Sequence, residues 1–331
     1  MESEELGMGR VILLGCIATV LGGSIATAQV GNDTENTVGW ANETELSLAT
    51  TEGNSNTDSL AFKNSLTRSW KHSRLKLLFD GMRTNNADDR FLLIDPGQVF
   101  LPGEQPNLVA TEVISPSKDP DAEKYFFEGR FTRKMLSGTR SWNTGGSWDR
   151  NEDAGILNRY IAFGGIGNHW IDGPKLNLET SYGLSYTDRE EEEPDPEKEQ
   201  EFLGFRLTAD FDYLVRPTTT LSYDFTGNIN FEDRSDYSID TAASVSVAMS
   251  GRISLKASIQ LLNNSEPALE DVDVIALLRL NDPDGTPGSG DEFFETVAGA
   301  GPDVFELTVS EGQARKSSHD TVVRTSLVIR F

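Results

Sequence analysis

The chain has little of what most enzymes and secreted domains rely on. Its 331 residues hold one cysteine, Cys16, and three histidines, His72, His169 and His319. Positive charge is scarce as well: 29 Lys and Arg stand against 53 Asp and Glu, a formal charge of −24. After residue 28 no apolar run approaches the ~20 residues of a membrane helix. Each shortage excludes something. Cys16 lies in "GRVILLGCIATVLGGSIATAQ", where Arg10, an apolar stretch from Val11 to Leu21 and the small pattern Ala26-Thr27-Ala28 have the layout of a secretory signal peptide. Cleavage is expected after Ala28. The "LLGC" fragment faintly resembles a lipoprotein acceptor, but the apolar stretch continues past it to a cleaner cleavage pattern. The remaining chain then has no cysteine, so disulfides and thiolate metal sites are out. Its charge, about −22, repels nucleic acid and anionic surfaces.

The histidines carry no visible chemistry. "SSHD" around His319 invites a Ser-His-Asp reading, but neighbours on a strand point to opposite faces, and triads are assembled across separate elements. There is no phosphate-binding glycine loop, no His-Glu-x-x-His motif and no dinucleotide fingerprint. "NDPDGTPGSGDE" (Asn281 to Glu292) has Asp282, Asp284 and Gly285 at calcium-loop spacing, yet lacks the next odd-position ligand and the closing glutamate. A Pro/Gly-rich turn with solvated acids is the expected reading. The expectation is therefore a non-enzyme, with no cofactor.

What the chain does have is alternation. In "LSYDFTGNINF", Leu221, Tyr223, Phe225, Ile229 and Phe231 face one way while Ser222, Asp224, Thr226, Asn228 and Asn230 face the other. The same period of two recurs through Leu176 to Tyr186, Phe205 to Val215, Ile239 to Met249, Ile253 to Leu261 and Val323 to Phe331. A soluble sandwich also alternates. Length separates the two, because these runs reach about ten residues or more, the span of a tilted membrane strand, against a usual five or six.

Twelve strands are expected, roughly 39–51, 57–70, 74–83, 123–136, 140–150, 157–171, 175–187, 202–215, 218–231, 237–249, 252–263 and 319–331. Residues 29–38 precede them as a short periplasmic segment. The connections alternate strictly between tight turns and long loops, the mark of an outer-membrane barrel with short periplasmic turns. The long loops are 84–122, 188–201 and 264–318, with charges of −5, −7 and −9. They form an acidic crown, expected to gather divalent cations loosely or simply to stay solvated. Trp70, Trp142, Trp170, Tyr213 and Phe331 fall near one end of the strands, and Tyr125, Tyr186, Phe231 and Tyr237 near the other, as two aromatic girdles. The fold class is an all-β, closed antiparallel transmembrane barrel in the bacterial outer membrane, in contact with its lipid.

With the greasy rows turned to lipid, the lumen receives Glu43, Glu45, Lys63, Lys76, Asp80, Glu128, Arg130 and Lys134. It also receives Glu179, Arg206, Asp210, Asp212, Asp224, Asp240, Lys256, Arg324 and Arg330. Nine acids and eight bases nearly balance. Such an interior either cross-links itself into a plug or lines a narrow, weakly selective pore. An outer-rim enzyme is a third reading, with nothing to place it.

The ending, an alternating strand closed by Phe331, resembles the usual signal read by the barrel-assembly machinery. "WANETELSLATTEGNSNTDSLAFKNSLTRSWKHSRLKL" is similar to the opening of the YdiY-like family of salt-induced outer-membrane proteins of unknown function. Its features are an opening strand, the turn Gly53-Asn54-Ser55-Asn56-Thr57, a second strand, and a basic turn with Arg68, Lys71 and Arg74. "SSHDTVVRTSLVIRF" fits the family's ending. The resemblance implies a barrel and its location, marks 84–122 and 264–318 as insertions, and implies no activity.

Overall fold

The computed structural model describes residues 38–52, 57–84, 88–107, 109–116, 122–135, 138–196, 198–281, 293–298 and 301–331. The expected signal peptide with Cys16, residues 53–56 of the Gly-Asn turn and residues 282–292 of the calcium-like stretch lie outside these. The strands, in chain order, are β1 (Gly39–Glu52), β2 (Thr57–Ser69), β3 (Ser73–Thr84), β4 (Asp88–Ile94), β5 (Val99–Phe100) and β6 (Ala110–Pro116). Then come β7 (Ala122–Lys134), β8 (Arg140–Asn151), β9 (Ile156–Asp172), β10 (Leu176–Glu191), β11 (Glu201–Arg216) and β12 (Thr219–Asn230). The last are β13 (Tyr237–Ala248), β14 (Ile253–Asn264), β15 (Leu269–Asn281), β16 (Phe293–Thr296), β17 (Val304–Arg315) and β18 (His319–Arg330).

Twelve of them close into an antiparallel barrel, in ring order β1-β18-β14-β13-β12-β11-β10-β9-β8-β7-β3-β2. These are the twelve that alternation marks, within four residues at every end. Closure comes from the last strand: β18 pairs with β14 on one side and with β1 on the other, from Glu43↔Arg330 to Glu52↔Thr321. A closed ring leaves no row of unpaired backbone groups, the condition for sitting in hydrocarbon.

The outward rows are apolar and exposed, among them Leu46, Leu48, Leu60, Tyr182, Leu184, Leu203, Leu207, Val245 and Leu255. Soluble monomers rarely expose large contiguous apolar patches. Trp40, Trp70, Trp142, Trp170 and Phe331 are exposed at the short-turn end, and Tyr160, Tyr186, Phe231 and Tyr237 at the other. Arg68 lies between two of these rings, 5.3 Å from Trp40 and 5.7 Å from Trp70.

One stretch of wall is backbone against backbone. Gly165 and Gly183 face each other across β9 and β10, and a Cβ on Gly183 would lie 2.1 Å from the Gly164 carbonyl oxygen. Only glycine permits that approach, which lets the sheet curl tightly.

Residues 84–122 and 264–318, expected as loops, carry the other six strands. They form a second sheet in the order β5-β16-β15-β4-β6, with β17 on the remaining side of β15. Its core is Ile94, Phe100, Val274, Ala276 and Leu278. β4 joins β15 in parallel, Phe91–Leu93 against Asp273–Ile275, so the two long connections fold on each other. The third expected loop is shorter than 188–201, because β10 runs to Glu191 and β11 starts at Glu201.

Candidate functional site

Alternation sends Glu128 and Arg206 into the barrel from strands with three others between them. They meet at 2.9 Å. Arg324 on β18 reaches Asp80 on β3 at 2.7 Å, past β1 and β2. Arg74 on β3 approaches Glu179 on β10 at 3.6 Å, and His169 approaches the same carboxylate at 3.5 Å. The three arginine pairs are chords across the lumen, whereas His169 on β9 faces Glu179 from the adjacent strand, along the wall. Shorter ties run along the wall, Lys256 to Glu45 at 2.7 Å and Arg330 to Glu43 at 2.6 Å.

Arg130 shares Glu128 with Arg206, also at 2.9 Å. The Phe163 ring lies against both guanidiniums, 5.6 Å from Arg130 and 4.5 Å from Arg206. Among the described residues neither Nε has a hydrogen-bond partner; the ring face attracts both cations electrostatically. Two cations thus share one carboxylate and one ring, and Arg206 also donates to Asn228 at 3.2 Å.

The other expected lumen residues lie on barrel strands. Asp212 accepts from Ser222 at 2.6 Å, and Asp240 from Gln260 at 2.9 and 3.0 Å. Asp210 stands directly opposite Asp224 on β12 and Glu179 on β10. Lys63 and Lys76 enter from β2 and β3. Among the described residues none of Lys63, Lys76, Asp210, Asp212, Asp224 and Asp240 joins an ion pair, and Asp224 and Lys76 are exposed within the barrel. Lys134 sits at the short-turn rim, 3.1 Å from Asp172. Phe331 continues the ladder by bonding Asn42 through its backbone, with its ring exposed.

At the long-loop end the barrel is crossed. The β14–β18 hairpin runs on through Asn264 N–H to Ser318 C=O (2.8 Å) and Lys316 N–H to Ala268 C=O (2.9 Å) into β15 and β17. At that bend Lys316 donates from Nζ to the Glu152 carbonyl at 3.2 Å. Glu152 belongs to the 3-10 turn Glu152–Ala154 between β8 and β9. β8 is six places from β14 in a ring of twelve, so the hairpin base spans the mouth from side to side. Gly155, in the left-handed region at φ 68°, fits beneath it; a Cβ there would lie 2.8 Å from the Ala268 Cβ.

Charges tie this strap down. Lys316 pairs with Glu270 at 3.2 Å and Glu192 at 3.6 Å, and Arg315 with Asp195 at 2.8 Å. Glu193 bridges Leu269. Lys198 donates to Glu191 and to the Glu266 carbonyl. Burial pushes the Lys198 pKa down, helped by Arg189 beside it and opposed by Glu191. Arg189 in turn holds Asp236 at 2.9 Å. Below the strap Lys124 stands between Asp153 at 3.3 Å and Asp320 at 3.6 Å, next to a small apolar cluster of Ala49, Ala61, Met82 and Val322.

Asp320 is therefore turned inward to Lys124, while His319 meets Ser318 Oγ at 2.6 Å and Asn263 at 2.7 Å. The Ser-His-Asp order in sequence makes no triad in space. Among the described residues no group of three or more His, Cys, Asp or Glu is arranged to hold a metal ion. Arg74, Lys124 and Asp320, absent from the expected lumen set, are the next inward positions on strands already placed; carrying the period of two further reaches them.

A closed ring of twelve antiparallel strands, apolar outside and charged within, is an outer-membrane-type β-barrel. The chain belongs to the DUF481 family, described as a protein of unknown function, whose model matches residues 44–276. No curated protein sequence matches it. Solved structures similar in fold include the NanC porin, 9% identical with TM-score 0.45, over 86% of this chain and 98% of that one. OmpT, an outer membrane protein of Vibrio cholerae, is 9% identical with TM-score 0.36, over 88% and 96%. An anion-selective porin from Comamonas acidovorans is 10% identical with TM-score 0.35, over 89% and 99%.

Proposed function

We propose that this protein lies in the bacterial outer membrane, as its YdiY-like opening and ending imply, and acts as a narrow passive pore that responds to ionic conditions. Its work is passage, not chemistry. The observation that carries this reading is the strap: a hairpin laid across one mouth and fastened by charges, above a lumen where Asp224 and Lys76 remain exposed. Ion pairs at a wetted mouth weaken as salt rises, because the screening length falls from about 10 Å at 0.1 M to about 3 Å at 1 M. The short turns then face the periplasm and the second sheet faces outward.

Single-channel recording of the full chain in planar bilayers tests this. Conductance should climb more steeply between 0.1 and 1 M KCl than the conductivity of the solution does. A strictly proportional rise would remove the ionic response. Silence at every salt concentration would favour the second reading, a plugged structural barrel, for which the chords Glu128–Arg206 and Asp80–Arg324 already argue.

A further inference from the structure

We propose that the solutes this lumen favours are small zwitterions, molecules of the amino-acid class that carry an ammonium and a carboxylate a few bonds apart. The inference rests on the pore reading above and names its substrate class.

The argument begins with balance. Nine acids and eight bases leave the seventeen expected lumen positions with almost no net charge to select an ion by its sign. Segregation then replaces selection by sign. Once the ion pairs are removed, the carboxylates left over are Asp210, Asp212, Asp224 and Asp240, all on three consecutive strands, β11, β12 and β13. The ammonium groups left over are Lys63 and Lys76, on β2 and β3. β3 is six places from β12 in the ring of twelve, so the two sets occupy opposite walls.

Asp210 and Asp224 face each other directly across β11 and β12, an arrangement that costs stability in a sheet unless positive charge is supplied. No side chain among those described supplies it by an ion pair. A passing ammonium would. The carboxylate of the same solute would then point across to Lys76, which is exposed in the lumen as Asp224 is. Low-dielectric walls concentrate such a field. A simple cation or anion is drawn to one wall and repelled from the other, and a neutral solute gains nothing. A zwitterion gains at both ends.

Liposome swelling tests this with the full chain reconstituted in phosphatidylcholine vesicles. β-Alanine is the zwitterion and glycerol the neutral solute of nearly equal size. Wild type and Lys316→Gln are run side by side, so that a fastened strap does not mask the comparison. β-Alanine should enter about threefold faster than glycerol or more, as steering of this kind allows. Asp210→Asn with Asp224→Asn should bring the ratio to about one. Equal rates in the parent proteins, or a preference the double variant keeps, overturn the zwitterion proposal and leave the pore standing. No swelling with either solute sinks both.

Discussion

Glu128 shows what a single residue does here. It accepts from Arg206 across the lumen and pairs with Arg130 on its own strand, both at 2.9 Å, while Phe163 lies against the two guanidiniums. The two ways of breaking this group are unequal. Arg206→Met removes the chord but leaves Glu128 paired with Arg130, and its apolar replacement still packs on Phe163. Glu128→Gln leaves two buried guanidiniums with no carboxylate bonded to either. Stranding a buried charge costs about 3–5 kcal/mol, whereas replacing a pair member by packed apolar atoms is often close to neutral. Urea unfolding in detergent micelles, followed by tryptophan fluorescence, should therefore show Glu128→Gln losing about 3 kcal/mol or more and Arg206→Met clearly less. Equal losses would mean that the chord, not charge satisfaction, holds this wall. Alternation puts all three charges in the lumen from sequence alone. It does not say who meets whom, because partners three strands apart depend on how the ring closes.

At the scale of elements, the barrel was written in the sequence and the second sheet was hidden in it. The barrel strands announce themselves by a period of two, since one face meets lipid and the other charge. β15 loses that signal midway: Val272 and Val274 alternate with exposed Asp271 and Asp273, but Val274, Ile275 and Ala276 are buried in succession, as expected of a strand covered on both faces. With twelve strands already satisfying the alternation of short and long connections, residues 264–318 read as loop. The strap follows from that hidden sheet, and its anchoring can be probed without changing any charge. Gly155→Ala places a Cβ in the left-handed region and against Ala268, whereas Lys316→Gln removes the pairs with Glu192 and Glu270. Both should raise single-channel conductance at 0.1 M KCl, and both should flatten its dependence on salt. If only the charge variant has this effect, the strap is not the element that moves. If neither has, it does not obstruct the mouth.

The whole molecule carries its excess charge in three stretches of sequence. The three long connections hold −21 of the roughly −22 expected for the chain without its leader, and the rest is nearly neutral. That much is legible from composition by segment, because charge facing lipid is costly and the barrel must shed it. What composition does not reveal is that part of the acidic crown is already in use. Glu190 accepts from Asn158 at 2.8 Å, Glu191 accepts from Lys198, and Glu192 pairs with Lys316. These acids are fastenings for the strap as well as sources of negative potential. Neutralising Glu190 to Glu193 as glutamines should then do two things together. The reversal potential in a tenfold KCl gradient should move toward zero, as the mouth loses its attraction for cations. Conductance at low salt should rise, because Lys198 and Lys316 lose the carboxylates that hold the hairpin across the barrel. Both changes should fade toward 1 M salt, where the screening length falls to about 3 Å. A shift in potential with no gain in conductance would leave the acids as a crown alone, and a gain in conductance with no shift would leave them as fastenings alone.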